Sequence, residues 1–234
     1  MKQTRWDNRT FTKKLREVGA SSYHNKHPFH VLMNEGKLDR KAIRLWVANR
    51  FYYQVNIPIK DAAIMSNCPL PEVRRLWIHR IVDHDGTGPN EGGIDAWLRL
   101  GVACGLSRKE LDAHEHLAPG VKFAVDAYVN FARHEPWPIA VSSSLTELFA
   151  PDLMAKRLEA FPKHYPWVKA EGLQYFRNRL TQAPRDSGEA LTLTHKYCST
   201  REMQDAAVRA LRFKCDLLWA MLDAFHAKWK NGAV

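Results

Sequence analysis

The sequence predicts an all-α fold. Apolar residues recur at helical spacing along almost the whole chain, no run of four to eight residues alternates like a strand, and clusters of Pro and Gly are the only punctuation. In order, the spacing predicts helices over Phe11 to Val18, Lys41 to Ser66, Pro71 to Asp83 or slightly beyond, Ile94 to Cys104 and Ser107 to Glu115. They continue as Val121 to His134, Pro138 to Phe149, Asp152 to Phe161, Trp167 to Leu180, Ser187 to Cys198 and a long last helix from Arg201 to Trp229. Ser107 and Glu110 have the spacing of a capping box, and Thr200 is placed to accept the first free N–H groups of the final helix. Pro71, Pro119, Pro151 and Pro166 fall near proposed starts, where a missing N–H matters least. Pro58 lies inside an apolar pattern and is expected to kink or split its helix. His24, His27 and His30 flank Pro28 in an expected loop and read as independent side chains rather than a metal site.

With 234 residues, 45% hydrophobic and 26% charged, the chain reads as one globular domain over 1–234, with 1–20 and 230–234 peripheral. No repeat or linker divides it. Cys68, Cys104, Cys198 and Cys215 form no C-x-x-C and read as free thiols of a reducing cytosol. The N-terminus has no apolar leader and no stretch approaches 18 apolar residues, so a soluble, cytoplasmic protein is expected, with no membrane partner. Lys+Arg 35 against Asp+Glu 25 leaves +10, which asks for an anionic partner, either nucleic acid or a small polyanion.

Winding each helix at 3.6 residues per turn separates these two partners. Arg50 and Gln54 interrupt the stripe that joins Ile43, Trp46 and Val47 to Ile57. Val73 and Trp77 lead to Arg80 and His84, while Leu153, Met154, Leu158 and Phe161 enclose Arg157. Val168, Gly172 and Tyr175 lead to Arg179, and Ala210 and Leu211 lead to Lys214. Four arginines and a lysine from five helices thus point inward, with few carboxylates on the same stripes. Burying an unpaired cation costs several kcal/mol, so an enclosed polyanion site is favoured over nucleic acid, which needs exposed cations interleaved with aromatics.

The chain has no Glu-x-x-His, and Asp223-x-x-His226 is its only Asp-x-x-His, which argues against a dinuclear carboxylate centre. Dinucleotide, P-loop and nucleophile-elbow motifs are absent. His84, between Asp83 and Asp85 and beside Arg80, is the acid/base candidate. The glycine-rich loop Asp85 to Gly93 follows it and is expected to be the most flexible segment, suited to closing over a site.

The stretches Trp46 to Gln54, Ile57 to Met65, Asp83 to Gly86, Gly92 to Gly101, Phe123 to Tyr128, Ser143 to Pro151 and His164 to Trp167 closely resemble the pyrroloquinoline-quinone synthase family, from about Tyr23 to Ala224. The resemblance implies a haem-oxygenase-like (TenA-like) helical fold, a homodimer, and a role at the last step of pyrroloquinoline quinone formation. There the ring of a tricarboxylated quinone precursor closes and is oxidised by molecular oxygen with release of hydrogen peroxide, using no metal or organic cofactor. Carried to matching positions, it implies that His24, Arg50, Tyr53, Gln54, Lys60, Arg80, Tyr128, Arg157 and Lys214 hold carboxylates and quinone oxygens. It makes His84 the acid/base group and places Tyr175 and Arg179 at the oxygen site. At 154 the family usually has histidine where this chain has Met154, a thioether that neither donates a proton nor hydrogen-bonds strongly, so weaker oxygen activation is expected. A thiaminase of the same fold, which needs a nucleophilic cysteine, and a non-catalytic carrier of the finished quinone are the alternatives.

Overall fold

The computed structural model describes residues 4–230. Among them the chain is helical with no strand, in the order α1 (Asn8–Ser22), α2 (Pro28–Asn34), α3 (Arg40–Asn67), α4 (Pro71–Trp77), α5 (His79–Asp85) and α6 (Gly92–Ala103). There follow α7 (Arg108–Asp112), α8 (Pro119–His134), α9 (Trp137–Ser143), α10 (Ala150–His164), α11 (Gln174–Tyr197) and α12 (Arg201–Lys230). Three 3-10 segments join them, at His24–Lys26, Ser144–Phe149 and Ala170–Leu173. The all-α expectation holds.

Helices α3 and α12 are the central posts. Helix α3 packs on α5, α6, α8 and α12, whereas α12 packs on α1, α3, α8 and α9. Helix α1, within the segment expected at the periphery, buries Phe11, Leu15 and Val18. Asn49 locks the approach to α8 onto α3: its amide donates to the Leu45 and His116 carbonyls and its oxygen accepts from the Ala118 N–H. The Ser107–Glu110 capping box forms as expected, and Thr200 accepts the Met203 N–H. Gly172 lies so close to α6 that an added Cβ would fall 2.6 Å from the Ala103 Cβ, which explains why the smallest residue stands there.

Several expectations about helix boundaries need correction. Pro58 does not split α3, which runs on to Asn67. The helix expected from Pro71 breaks at Ile78 into α4 and α5, and the one expected from Pro138 gives way at Ser144 to a 3-10 segment. The chain around Pro28 is not a loop, because Pro28 opens α2, capped by His27 accepting the Phe29 N–H. The helices expected over Trp167 to Leu180 and Ser187 to Cys198 are one, α11, which begins later and passes through Pro184. A proline removes one backbone bond, and packing against α6, α9 and α10 outweighs that loss. The Asp85–Gly93 loop is a tight turn in which Thr87 donates to Glu91 through N–H and Oγ1, and Gly86 and Gly92 adopt φ of 81° and 77°.

Candidate active site

Helices α3, α5, α10, α11 and α12 send their interrupting polar groups towards one place. A cavity of about 40 Å³ lies there, lined by His24, Arg50, Tyr53, His84, Met154, Arg157, Tyr175 and Arg179, together with Tyr23, Ile57, Thr146, Glu147, Ala150 and Leu218. A smaller void of about 10 Å³ shares His24, Arg50, Arg157 and Leu218 with it. Lys214, Gln54 and Tyr128 are buried and absent from the wall. Lys214 and Tyr128 sit directly behind Tyr53, because the Lys214 ammonium lies 4.2 Å from the Tyr53 ring centre and 3.3 Å from that of Tyr128.

The inward cations fall into two groups. Arg50, Arg157 and Lys214 form no ion pair with any described residue. Arg50 rests on the Tyr53 ring at 3.8 Å. Arg157 donates to Nε2 of His30 at 3.0 Å and lies over Trp46, and burial, then the Arg50 charge, push its guanidinium down to about 9. Lys214 Nζ has no hydrogen-bond partner, and burial, followed by Arg50 and Lys60, holds its ammonium well below the usual lysine range.

In the second group Arg179 and Lys60 are neutralised by the protein's own acids, which corrects the expectation that the inward stripes carry few carboxylates, while Arg80 is held by a ring and a backbone carbonyl. Arg179 pairs with Glu147 and with Asp186; burial alone would lower its pKa, and these acids, with Tyr175, raise it instead. Lys60 is bound by Asp61, which also accepts the Trp77 indole N–H at 2.8 Å, and by Ser144. Arg80 stacks on Trp77 at 3.9 Å and donates to the Asp186 carbonyl. Lys60 and Arg80 therefore form a layer behind the wall rather than part of it.

His84 lines the cavity with one ring nitrogen engaged. Its Nδ1 lies 2.9 Å from the Arg80 carbonyl, which can only accept, so Nδ1 carries the proton and Nε2 is the basic nitrogen. Burial first, and then Arg179, lowers its pKa, so the ring is neutral at neutral pH. Gly93, at the start of α6, lies against the His84 and Tyr175 rings, each 3.5 Å from where its Cβ would be, an ordinary contact distance. The Gln54 amide and His24 Nδ1 are buried without partners, as groups reserved for a ligand would be.

Sequence reasoning missed His30, Glu147 and Asp186. The first three histidines are buried and two of them are linked: His27 meets Asp223, and His30 donates from Nδ1 to the His24 carbonyl, leaving Nε2 to accept from Arg157. Among the described residues the one grouping of metal-type ligands is Glu110, Glu115 and His116, outside the cavity wall, with Glu110 committed to its capping box. Grooves of about 430 and 540 Å³ also lie outside this wall, and the latter holds an Asp95 already paired with Arg99 and Arg108. Volume alone would favour these grooves; unpartnered buried charge favours the small cavity.

Fold and site together define a helical bundle enclosing a small, cation-walled chamber with a neutral histidine at its edge. The chain belongs to the TENA/THI-4/PQQC family, whose sequence profile matches residues 12–224. It is 58% identical to a pyrroloquinoline-quinone synthase of Cronobacter sakazakii over 92% of this chain and 85% of that protein. Identity to the pyrroloquinoline-quinone synthase of Pseudomonas aeruginosa is 55%, covering 98% and 92% of the two chains. A crystal structure with a heme oxygenase-like fold from Shewanella denitrificans superposes with a TM-score of 0.80 at 14% identity, covering 96% of this chain and 94% of that one, which shows the shared fold.

Proposed function

We propose that this protein is an enzyme of pyrroloquinoline quinone formation, closing the ring of a tricarboxylated quinone precursor and oxidising it with molecular oxygen. The observation that carries the reading is the convergence of three cations lacking acid partners, Arg50, Arg157 and Lys214, beside the orphaned Gln54 amide. Three carboxylates on one small frame would satisfy them, and bidentate contacts to the arginines would fix the ring's orientation. The substrate amine adds to its own quinone carbonyl while His84 Nε2 takes a proton. Each later two-electron oxidation of the ring sends two electrons and two protons to one oxygen molecule, yielding hydrogen peroxide. Arg179 and Tyr175 stabilise reduced oxygen as its charge develops. The reading needs no metal or organic cofactor, and it includes a cytoplasmic homodimer without nucleic-acid partners. No helix among the described residues is long and apolar enough to cross a membrane.

A guest of this size needs roughly 300 Å³ or more, so the chamber must widen to admit it. Anaerobic mixing of protein and precursor followed by admission of oxygen tests the function: oxygen uptake with peroxide release supports an oxidase, and binding of finished quinone without either supports the carrier. The thiaminase alternative loses ground because no cysteine lines the cavity, and burial pushes the Cys104 and Cys215 thiols up to about 12 and Cys198 to about 11.

Met154 lies against Arg157, with Sδ 3.9 Å from the guanidinium, and cannot supply a proton to reduced oxygen. Met154→His is expected to speed the oxygen-dependent steps roughly 100-fold, the lower end of what a positioned acid contributes. Stopped-flow absorbance after oxygen admission reads this directly, and an unchanged rate would detach position 154 from the oxygen site.

A further inference from the structure

Glu147 is the one carboxylate on the cavity wall. It faces Arg179, which is already bonded to Asp186 on its own helix, so the guanidinium has two acidic partners where its neighbours Arg50 and Arg157 have none. The two acids are not equivalent. The Asp186 side chain is 2% exposed and also accepts from Arg185, whereas the Glu147 side chain is 25% exposed. Glu147 therefore has a path to water that Asp186 and Arg179 lack. It also stands on the 3-10 segment Ser144–Phe149, whose hydrogen-bond geometry is weaker than that of a helix and yields more easily.

An anionic guest cannot share this site with Glu147. The chamber of about 40 Å³ leaves no room for both, and the negative charges of a guest and of Glu147 repel strongly in a poorly solvated pocket. Its negative charge is also felt across the chamber, helping to raise the pKa of Tyr23 and Tyr53, in both cases after the larger effect of burial.

We propose that Glu147 is an internal placeholder: it occupies Arg179 while the site is empty, leaves when a polyanionic guest enters, and thereby sets how tightly guests are held and how many charges they need to enter. The inference rests on the functional reading above and deepens it. Binding then breaks the Glu147–Arg179 ion pair and frees Arg179 to face oxygen, so the affinity measured is the guest's own less that of the displaced ion pair.

The test uses pyrroloquinoline quinone as probe, titrated into the full-length wild type and into Glu147→Gln and Glu147→Ala while its absorbance is followed. Gln keeps the volume and offers only a neutral acceptor, and Arg179 retains Asp186 in both variants, so the fold has no new orphaned cation. Both variants are expected to bind at least ten-fold more tightly than wild type. KM for the precursor should fall in parallel with the dissociation constant, a direction that a proton-transferring or merely structural Glu147 would not produce. Affinity that is unchanged or weaker in both variants, or a slowed single turnover without tighter binding, overturns the placeholder. Absence of quinone binding by the wild type overturns the functional reading, and the placeholder with it.

Discussion

Lys214→Met is expected to raise the melting temperature while removing most of the affinity for pyrroloquinoline quinone. The ammonium is buried between the Tyr53 and Tyr128 rings, has no hydrogen-bond partner and lies near Arg50 and Lys60. The aromatic faces return about 2 kcal/mol or more when desolvated, set against the several kcal/mol that desolvating the charge costs. An apolar side chain of similar length removes that penalty, for a gain of about 1–4 kcal/mol. Because the folded pKa lies below the unfolded value of 10.5, the unfolded chain holds more protons between the two, and wild-type stability rises with pH across that window. The stabilisation by Met is therefore largest below the folded pKa, shrinks as pH rises from there, and vanishes above about pH 10.5. Binding should move the other way. Losing one member of a buried charge pair costs about 2–5 kcal/mol, or roughly thirty-fold to several-thousand-fold in Kd. Calorimetric melts at two pH values together with a quinone titration check both halves; a variant that is less stable and binds as well as wild type contradicts the assignment.

The cations of the site were legible because helical spacing is enough to place them. Arg157 sits amid Leu153, Met154, Leu158 and Phe161, so any helix there turns it inward, and the structure buries it. Their partners were harder to read. Asp186 falls two turns after Arg179 on the same face only if the helix passes through Pro184, and with helices expected to end at Leu180 and restart at Ser187 the pair is not visible in the sequence. His30 is hidden for the opposite reason, since the sequence places Pro28 in an expected loop and the structure uses it to open a helix. Lys60 and Asp61 are adjacent in sequence, and neighbours on a helix do not normally face each other. The long lysine chain bends back to make the contact, a tertiary effect that spacing does not encode. The size of the chamber was not legible either, because periodicity gives direction and says nothing of how far opposing walls stand apart.

His84→Ala is expected to leave quinone affinity within a few-fold of wild type and to slow ring closure about 10²–10⁴-fold, the usual contribution of a positioned acid/base group. The Arg80 carbonyl fixes the proton on Nδ1, so the basic Nε2 is present without any rearrangement. Its pKa lies below the ordinary 6.5 because of burial and then Arg179, so the free enzyme keeps a competent base down through mildly acidic pH. Since kcat/KM reports the free enzyme, its acid limb should fall below pH 6.5, and the alanine variant should lose that limb along with the rate. His84→Asn separates chemistry from scaffolding. Its amide N–H can still donate to the Arg80 carbonyl, but it offers no basic nitrogen, so a rate as low as alanine's assigns the loss to proton transfer. If asparagine instead restores the wild-type rate, His84 serves to hold α5 in place, and the base must be sought among the phenols of Tyr53, Tyr128 and Tyr175, of which burial holds Tyr53 well above its ordinary range.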